Sequence, residues 1–177
     1  MAGNTLNADY CEAGYLTGLR MRDRGLMSLA TGVLLDRSGV PVVSAANLSV
    51  QTLKTILLPA KMMGANGSLR FTAIFSAVSN GNMKIPMFNF AGAAVFYAGL
   101  TGWGTYTIEG WVQNRGAANA QVSYPVNTAQ PFNVTSNPPL VLAVNTDQDV
   151  MLSFGCQMAV ATDAMTLEAY MIEVFPS

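Results

Sequence analysis

The chain is 177 residues long, 51% hydrophobic and 11% charged, with a formal net charge of −1 and no histidine. That length fits one domain burying roughly 70% of its unfolded surface. A charged fraction far below the ~25% of ordinary soluble domains leaves a neutral exterior, which permanent assembly would cover; the competing reading is a neutral monomer surface. The lack of histidine excludes Ser-His-Asp and Cys-His catalytic sets and histidine-ligated metal sites. Phosphate-cradling and dinucleotide-binding glycine motifs are absent as well, so the sequence points to no cofactor and no enzyme.

Residues 1–50 have the composition of an arm for docking, and residues 51–177 that of a β-sandwich domain. The first nine residues are polar and lack the basic start and apolar run of a signal peptide. Residues 1–70 carry seven bases and four acids, and residues 71–177 two bases and six acids, a balance of +3 against −4. Arg20, Arg22 and Arg24 cluster around Asp23. That is too few charges for a phosphate track, so the cluster fits a solvated arm or a contact with an acidic partner, not nucleic acid. Leu26, Leu29, Ala30, Val33 and Leu34 have helical spacing, but Gly25 and Gly32 weaken a helix. An extended segment with turns at 36–39 and before Pro41 is favoured. Arg20, Arg22, Arg24, Leu26, Leu29 and Val33 are thus candidate contact residues to a neighbour. Cys11, in this polar segment, reads as a free thiol, with a bridge to Cys156 as the alternative.

From Val50 onward the pattern is strand-like. Residues 53–58 form a first strand ended by Pro59, and 63–67 a glycine-rich turn. Residues 69–78 alternate, with Leu69, Phe71, Ala73, Phe75 and Ala77 on one side; Ser79-Asn-Gly-Asn82 is a turn. Residues 85–90 and 93–97 are short strands and 99–104 a loop. The uncharged span 85–108 is long enough to cross a bilayer, but Pro86, Asn89 and interleaved aromatics fit strands and turns better. Residues 105–113 place Tyr106, Ile108 and Val112 on one face and Trp111 on the other. A turn at 114–117, a strand at 120–124, a long loop at 125–139, a strand at 140–144 and a polar turn at 145–148 follow. Residues 148–175 show two long alternating runs joined by a polar break at Thr162-Asp163, the pattern of an antiparallel hairpin. Eight or nine strands with no βαβ alternation predict an all-β, antiparallel two-sheet sandwich or jelly roll with an extended N-terminal arm.

Few residues offer chemistry. Asp147 and Asp149 flank Gln148, a spacing that suits Ca2+ or an acid/base pair, or simply a solvated turn before a strand. Glu109 shares a face with Trp111, as in sugar sites, or is an outward glutamate beside a packing indole. Trp103, between two glycines, either contacts a receptor or neighbouring subunit or caps the core. Cys156 alternates inward as a small hydrophobe, and the eleven methionines read as flexible core filling.

Three stretches carry a family resemblance. They are Leu58-Pro-Ala-Lys-Met-Met-Gly-Ala-Asn-Gly-Ser-Leu-Arg-Phe-Thr-Ala-Ile-Phe-Ser76 running on to Asn80-Gly-Asn-Met-Lys84, then Val112-Gln-Asn-Arg-Gly116, and Asp163-Ala-Met-Thr-Leu-Glu-Ala-Tyr170. Together, over roughly residues 55–175, they resemble small jelly-roll virion surface proteins of tailed bacteriophages: decoration, head-fibre or tail-fibre modules. The Pro86-centred aromatic run departs from that pattern. The resemblance implies a virion location, a homotrimer or homodimer, and contact with other virion proteins of the capsid or tail, with no membrane and no catalytic residues. A receptor- or carbohydrate-binding tip of a tail fibre, with a host surface glycan as partner, is the alternative it leaves open.

Overall fold

A computed structural model of the chain describes residues 32–124 and 137–177. Every helix or strand in those residues is a β-strand: β1 Val33–Ser38, β2 Val42–Val43, β3 Gln51–Leu58, β4 Ser68–Ala77, β5 Lys84–Phe90, β6 Ala93–Tyr97, β7 Thr105–Asn114, β8 Gln121–Ser123, β9 Leu140–Leu142, β10 Val150–Met158 and β11 Met165–Phe175. The larger sheet runs β1-β11-β4-β7-β8-β9, with β2 also on β11; the smaller runs β3-β10-β5-β6. All strand pairings between these elements are antiparallel. Taking β1 and β2 as one broken edge strand and setting aside β8 and β9 leaves eight strands. Numbered in chain order, they fall in the sheets as 1-8-3-6 and 2-7-4-5. That double Greek key is a jelly roll.

Period-two alternation builds the core between the sheets. On β4, Leu69, Phe71, Ala73 and Phe75 are all buried, while Arg70, Thr72 and Ile74 face outward. Phe71 stacks on Phe88 of the opposite sheet at 3.9 Å between ring centroids. Phe88 also meets Phe154 at 5.0 Å, and Phe154 meets Tyr170, back on the larger sheet, at 5.2 Å. Gly110 lies opposite Phe71 on β7, and a Cβ there would sit 2.4 Å from Phe71 Cζ, so the ring occupies the space that glycine leaves. Cys156 is buried with a free thiol. Burial pushes it up to about 11, against a smaller lowering by a hydrogen bond with Ser44, so it is a packing group and not a nucleophile.

The hairpin expected over 148–175 does not form. β10 belongs to the smaller sheet and β11 to the larger, so residues 159–164 arch across the core instead of turning back within a sheet. Both connections give the same alternation; only the partners differ. β11 pairs β4 and β1, and β10 pairs β3 and β5. A register shift between Leu167 and Ala169 also makes Glu168 an extra residue. Such a bulge inverts the phase beyond it. Met165 and Leu167 point inward; strict alternation would continue with Ala169 and Met171, but Tyr170, Ile172 and Val174 follow instead.

The sandwich also takes in residues from the span read as an arm. β1 pairs β11 from Val33↔Val174 to Ser38↔Tyr170, and residues 32–177 form one compact unit. The extended reading therefore holds for Val33 and Leu34. The reason is that β11 would otherwise present a bare edge, and this stretch covers it. Pro86 sits inside β5, opposite Cys156 of β10; pairing with β6 stops at Met87↔Tyr97 and resumes at the Lys84↔Leu100 bridge. The missing amide thus falls where the β6 ladder is interrupted. Residues 85–108 are β5, β6 and the start of β7, and among the described residues no helix is long and apolar enough to cross a membrane.

Candidate interaction surface

Of the residues singled out from sequence, Arg20, Arg22, Arg24, Leu26 and Leu29 lie outside the described residues, as does Cys11. Val33 opens β1 and is partly exposed. Trp103 is half-buried against the core, 5.8 Å from the ring of Tyr106, the arrangement of a residue that caps one end of the sandwich. Trp111 is on the outer face of the larger sheet and stacks near Phe175 at 6.2 Å. Phe175 in turn lies against Gly32, where a Cβ would meet its ring at 2.6 Å. Trp111 and the start of β1 are therefore drawn to one end of that sheet through Phe175, and Trp103 is not part of this group.

The turn motifs close the two ends of the sandwich. At one end Asn114 is buried: its Nδ2 donates to the Gly64 carbonyl at 2.6 Å and to Thr146 Oγ1 at 2.9 Å, and its Oδ1 accepts from Gln121 Nε2 at 2.8 Å. The Gly116 N–H donates to Asn66 Oδ1 beside it, and the Ala60 N–H to Asp149 Oδ1 at 2.9 Å. Asp149 thus ties a turn to the end of β3, and among the described residues no group of three or more His, Cys, Asp or Glu is placed to hold a metal ion.

At the other end Lys84 and Asp163 form a buried ion pair at 3.3 Å. Lys84 Nζ also donates to Asn80 Oδ1 at 2.6 Å, and Asn80 Nδ2 donates to Asp163 Oδ1 at 3.2 Å. Burial pushes the Asp163 carboxyl up, but hydrogen bonds from Asn82, Asn80 and Lys84 and the Lys84 charge outweigh it and leave it below its ordinary 3.8. A carboxyl lowered on folding contributes stability above its unfolded pKa and loses it as pH falls through the folded one. Urea midpoints followed from about pH 6 down to about pH 2 should therefore drop below about pH 4, and Asp163→Asn should flatten that drop. Parallel curves for the two proteins would assign acid sensitivity to other groups.

The two outer faces differ in chemistry. On the larger sheet Arg70 bridges Glu109, at 2.6 Å, and Glu173, at 3.9 Å, while its guanidinium sits 5.6 Å from the Trp111 ring centroid. Glu168 accepts a hydrogen bond from Ser76 on the same face. This is a charged, internally paired face. On the smaller sheet the register puts Leu57 opposite Met151, Thr55 and Asn89 either side of Ser153, Met87 beside Gly155, and Ile85 beside Gln157. None of the outward positions on its four strands carries a charge, because its two lysines point elsewhere. Lys84 is buried at the end of the sandwich, and Lys54 lies opposite inward Phe154 and reaches Asp36 and the Tyr170 ring. Leu57 is 47% exposed, Met151 51% and Met83, beside Ile85 on Gly99, 42%. Sequence reasoning missed this face. Its signal was present in the outward set Met151, Ser153, Gly155 and Gln157, which lacks charge.

No family model and no curated protein matches the sequence. Among solved structures the chain is similar to two from infectious bursal disease virus. One is the VP2 subviral particle, at 8% identity and a TM-score of 0.29, covering 82% of this chain and 40% of that one. The other is the Gx strain, at 11% identity and a TM-score of 0.27, covering 83% and 40%. The chain spans about 40% of the length of the chains it matches. Likeness at that level fixes neither ancestry nor function.

Proposed function

We propose that the chain is a structural protein of a tailed-bacteriophage virion, a self-associating jelly roll that decorates or cements the capsid or forms a fibre component. The observation that carries this reading is a jelly roll with one sheet face free of charge. Jelly rolls serve widely as viral capsid and lectin domains, and because that is an argument from fold class, the surface has to supply the rest. The turn motifs that carry the phage resemblance support it as structural clasps: Asn114 with Gly64, and Asn80 with Lys84 and Asp163, hold loop ends together.

In this role the protein acts mechanically and not as an enzyme. Apolar area buried between copies and against neighbouring virion subunits raises the barrier to their dissociation, and residues 1–31 supply the attachment to capsid or tail. The glycan-binding alternative has less support, since Arg70 engages both Glu109 and the Trp111 ring that a sugar would need. Deleting residues 1–31 should leave a folded sandwich that no longer binds particles lacking the protein, measured by co-sedimentation. Full occupancy by the truncated chain would refute docking through the arm.

A further inference from the structure

We infer that the outer face of the smaller sheet, β3-β10-β5-β6, is where a second copy of this chain packs, face to face about a two-fold axis; this rests on the assembly reading above. Four observations converge on it. First, a two-fold contact brings the same patch against itself, so any net charge on it would meet its like. This face has no charged outward side chain on its strands, whereas the larger sheet presents Arg70, Glu109, Glu168 and Glu173. Secondly, the surrounding segments 44–50, 78–83 and 91–104 are also free of Asp, Glu, Lys and Arg, and the charges of the rim, Lys61, Asp147 and Asp149, are confined to the end where β3 leaves the sheet and β10 enters it.

Thirdly, the exposed side chains are the right kind. Leu57 and Met151 are register partners left about half exposed, and Met83 extends the apolar surface past Ile85. Ser153, Asn89 and Thr55 between them supply neutral polar groups that can be met by their copies. Strands of 8, 9, 7 and 5 residues spaced about 4.8 Å apart span roughly 450 Å² per copy. The apolar area left free on this face lies at Leu57, Met151 and Met83, because Ile85 and Met87 are already covered within the chain, at 9% and 8% exposure.

Fourthly, the sheet edges are closed to pairing, which leaves faces as the route to association. The β1–β2 edge is broken around Gly39 and Pro41, β3 carries Lys54 and a register shift, β6 is five residues long with a shift of its own, and β9 is three residues long. Breaks, bulges, lysines and short edge strands are the devices that block edge-to-edge association.

The test uses the purified full chain. Light scattering on a sizing column should give twice the 18.8 kDa chain mass. Leu57→Glu combined with Met151→Glu should give a single-chain mass with the strand signal in circular dichroism unchanged, while Ile74→Glu on the other sheet should leave the dimer intact. If the double variant does not fold, peroxide footprinting of the wild-type chain decides. Met151 and Met83 should oxidise at least several-fold more slowly at high than at low protein concentration, and Met171 on the larger sheet should not change. A wild-type monomer at tens of micromolar, a double variant that stays dimeric, or a dimer whose Met151 is unprotected overturns the pairing. A wild-type monomer that is nevertheless present on particles overturns the pairing alone; a dimer missing from particles leaves the pairing and removes the virion role.

Discussion

Phe88→Ala is expected to cost about 3–5 kcal/mol of folding stability. Phe88 is on β5 of the smaller sheet and fully buried, and its ring lies 3.9 Å from Phe71 of the larger sheet and 5.0 Å from Phe154 on the neighbouring strand. It is therefore one of the rings through which the two sheets touch, beside the Phe154–Tyr170 pair. Removing it takes away its transfer energy and leaves a cavity that neither sheet can close without breaking its own ladder. Set against the 5–15 kcal/mol typical of a whole domain, that is a large fraction. Phe88→Leu keeps most of the volume and should cost under about 1.5 kcal/mol. Equilibrium urea unfolding, read by the fluorescence of Trp103 and Trp111, measures both. A loss below about 1 kcal/mol for the alanine variant would mean the sheets do not meet at this ring.

Asn114→Ala is the second large effect, about 3 kcal/mol, by a different route. The Asn114 side chain satisfies three groups at once: the Gly64 carbonyl, Thr146 Oγ1 and Gln121 Nε2. Gln121 and Thr146 are themselves buried. Gln121 also donates to the Ala118 and Val144 carbonyls, and Thr146 to the Ala118 carbonyl. Alanine would leave several buried polar atoms short of a partner, each worth about 1–3 kcal/mol and not additive. Asn114→Asp is no rescue, because it removes the amide donors. Amide exchange should accelerate at the loops around 64–67 and 114–121 before it does in β10 or β11. A uniform acceleration, or a cost below about 0.5 kcal/mol, would show that this network does not hold that end together.

How much of this was legible in the sequence depends on range. Strands were legible because alternation is local: Leu69, Phe71, Ala73 and Phe75 announce the inner face of β4 without reference to anything else. Sheet membership was not. An arch and a hairpin leave the same pattern in 148–175, and the choice between them rests on whether β3 and β5 or β4 and β1 lie alongside. The phase of β11 beyond Leu167 was hidden for a related reason, since Glu168 becomes a bulge only in register with β4. Burial of Asn114, Gln121 and Lys84 was equally out of reach. By composition these are surface residues, and they are inside because Gly64, Val144 and Asp163 arrive from far along the chain to satisfy them.

The charge-free face lies between these cases. Low overall charge was visible at once, and it suggested a neutral exterior, but not where. Only when β3, β10, β5 and β6 are assigned to one sheet do Leu57, Met151, Ser153 and Gln157 fall on a common surface, while Arg70, Glu109 and Glu173 fall on the other. Neutrality is thus concentrated on one side. That asymmetry is what a chain needs if one face meets a copy and the other faces water.

The structural role is decided by the composition of purified intact particles, quantified by mass spectrometry against the major capsid protein. The expected result is many copies of this chain per particle, retained through gradient purification and lost from particles assembled with the chain truncated before Gly32. A chain abundant in the infected lysate but missing from the particles would contradict it.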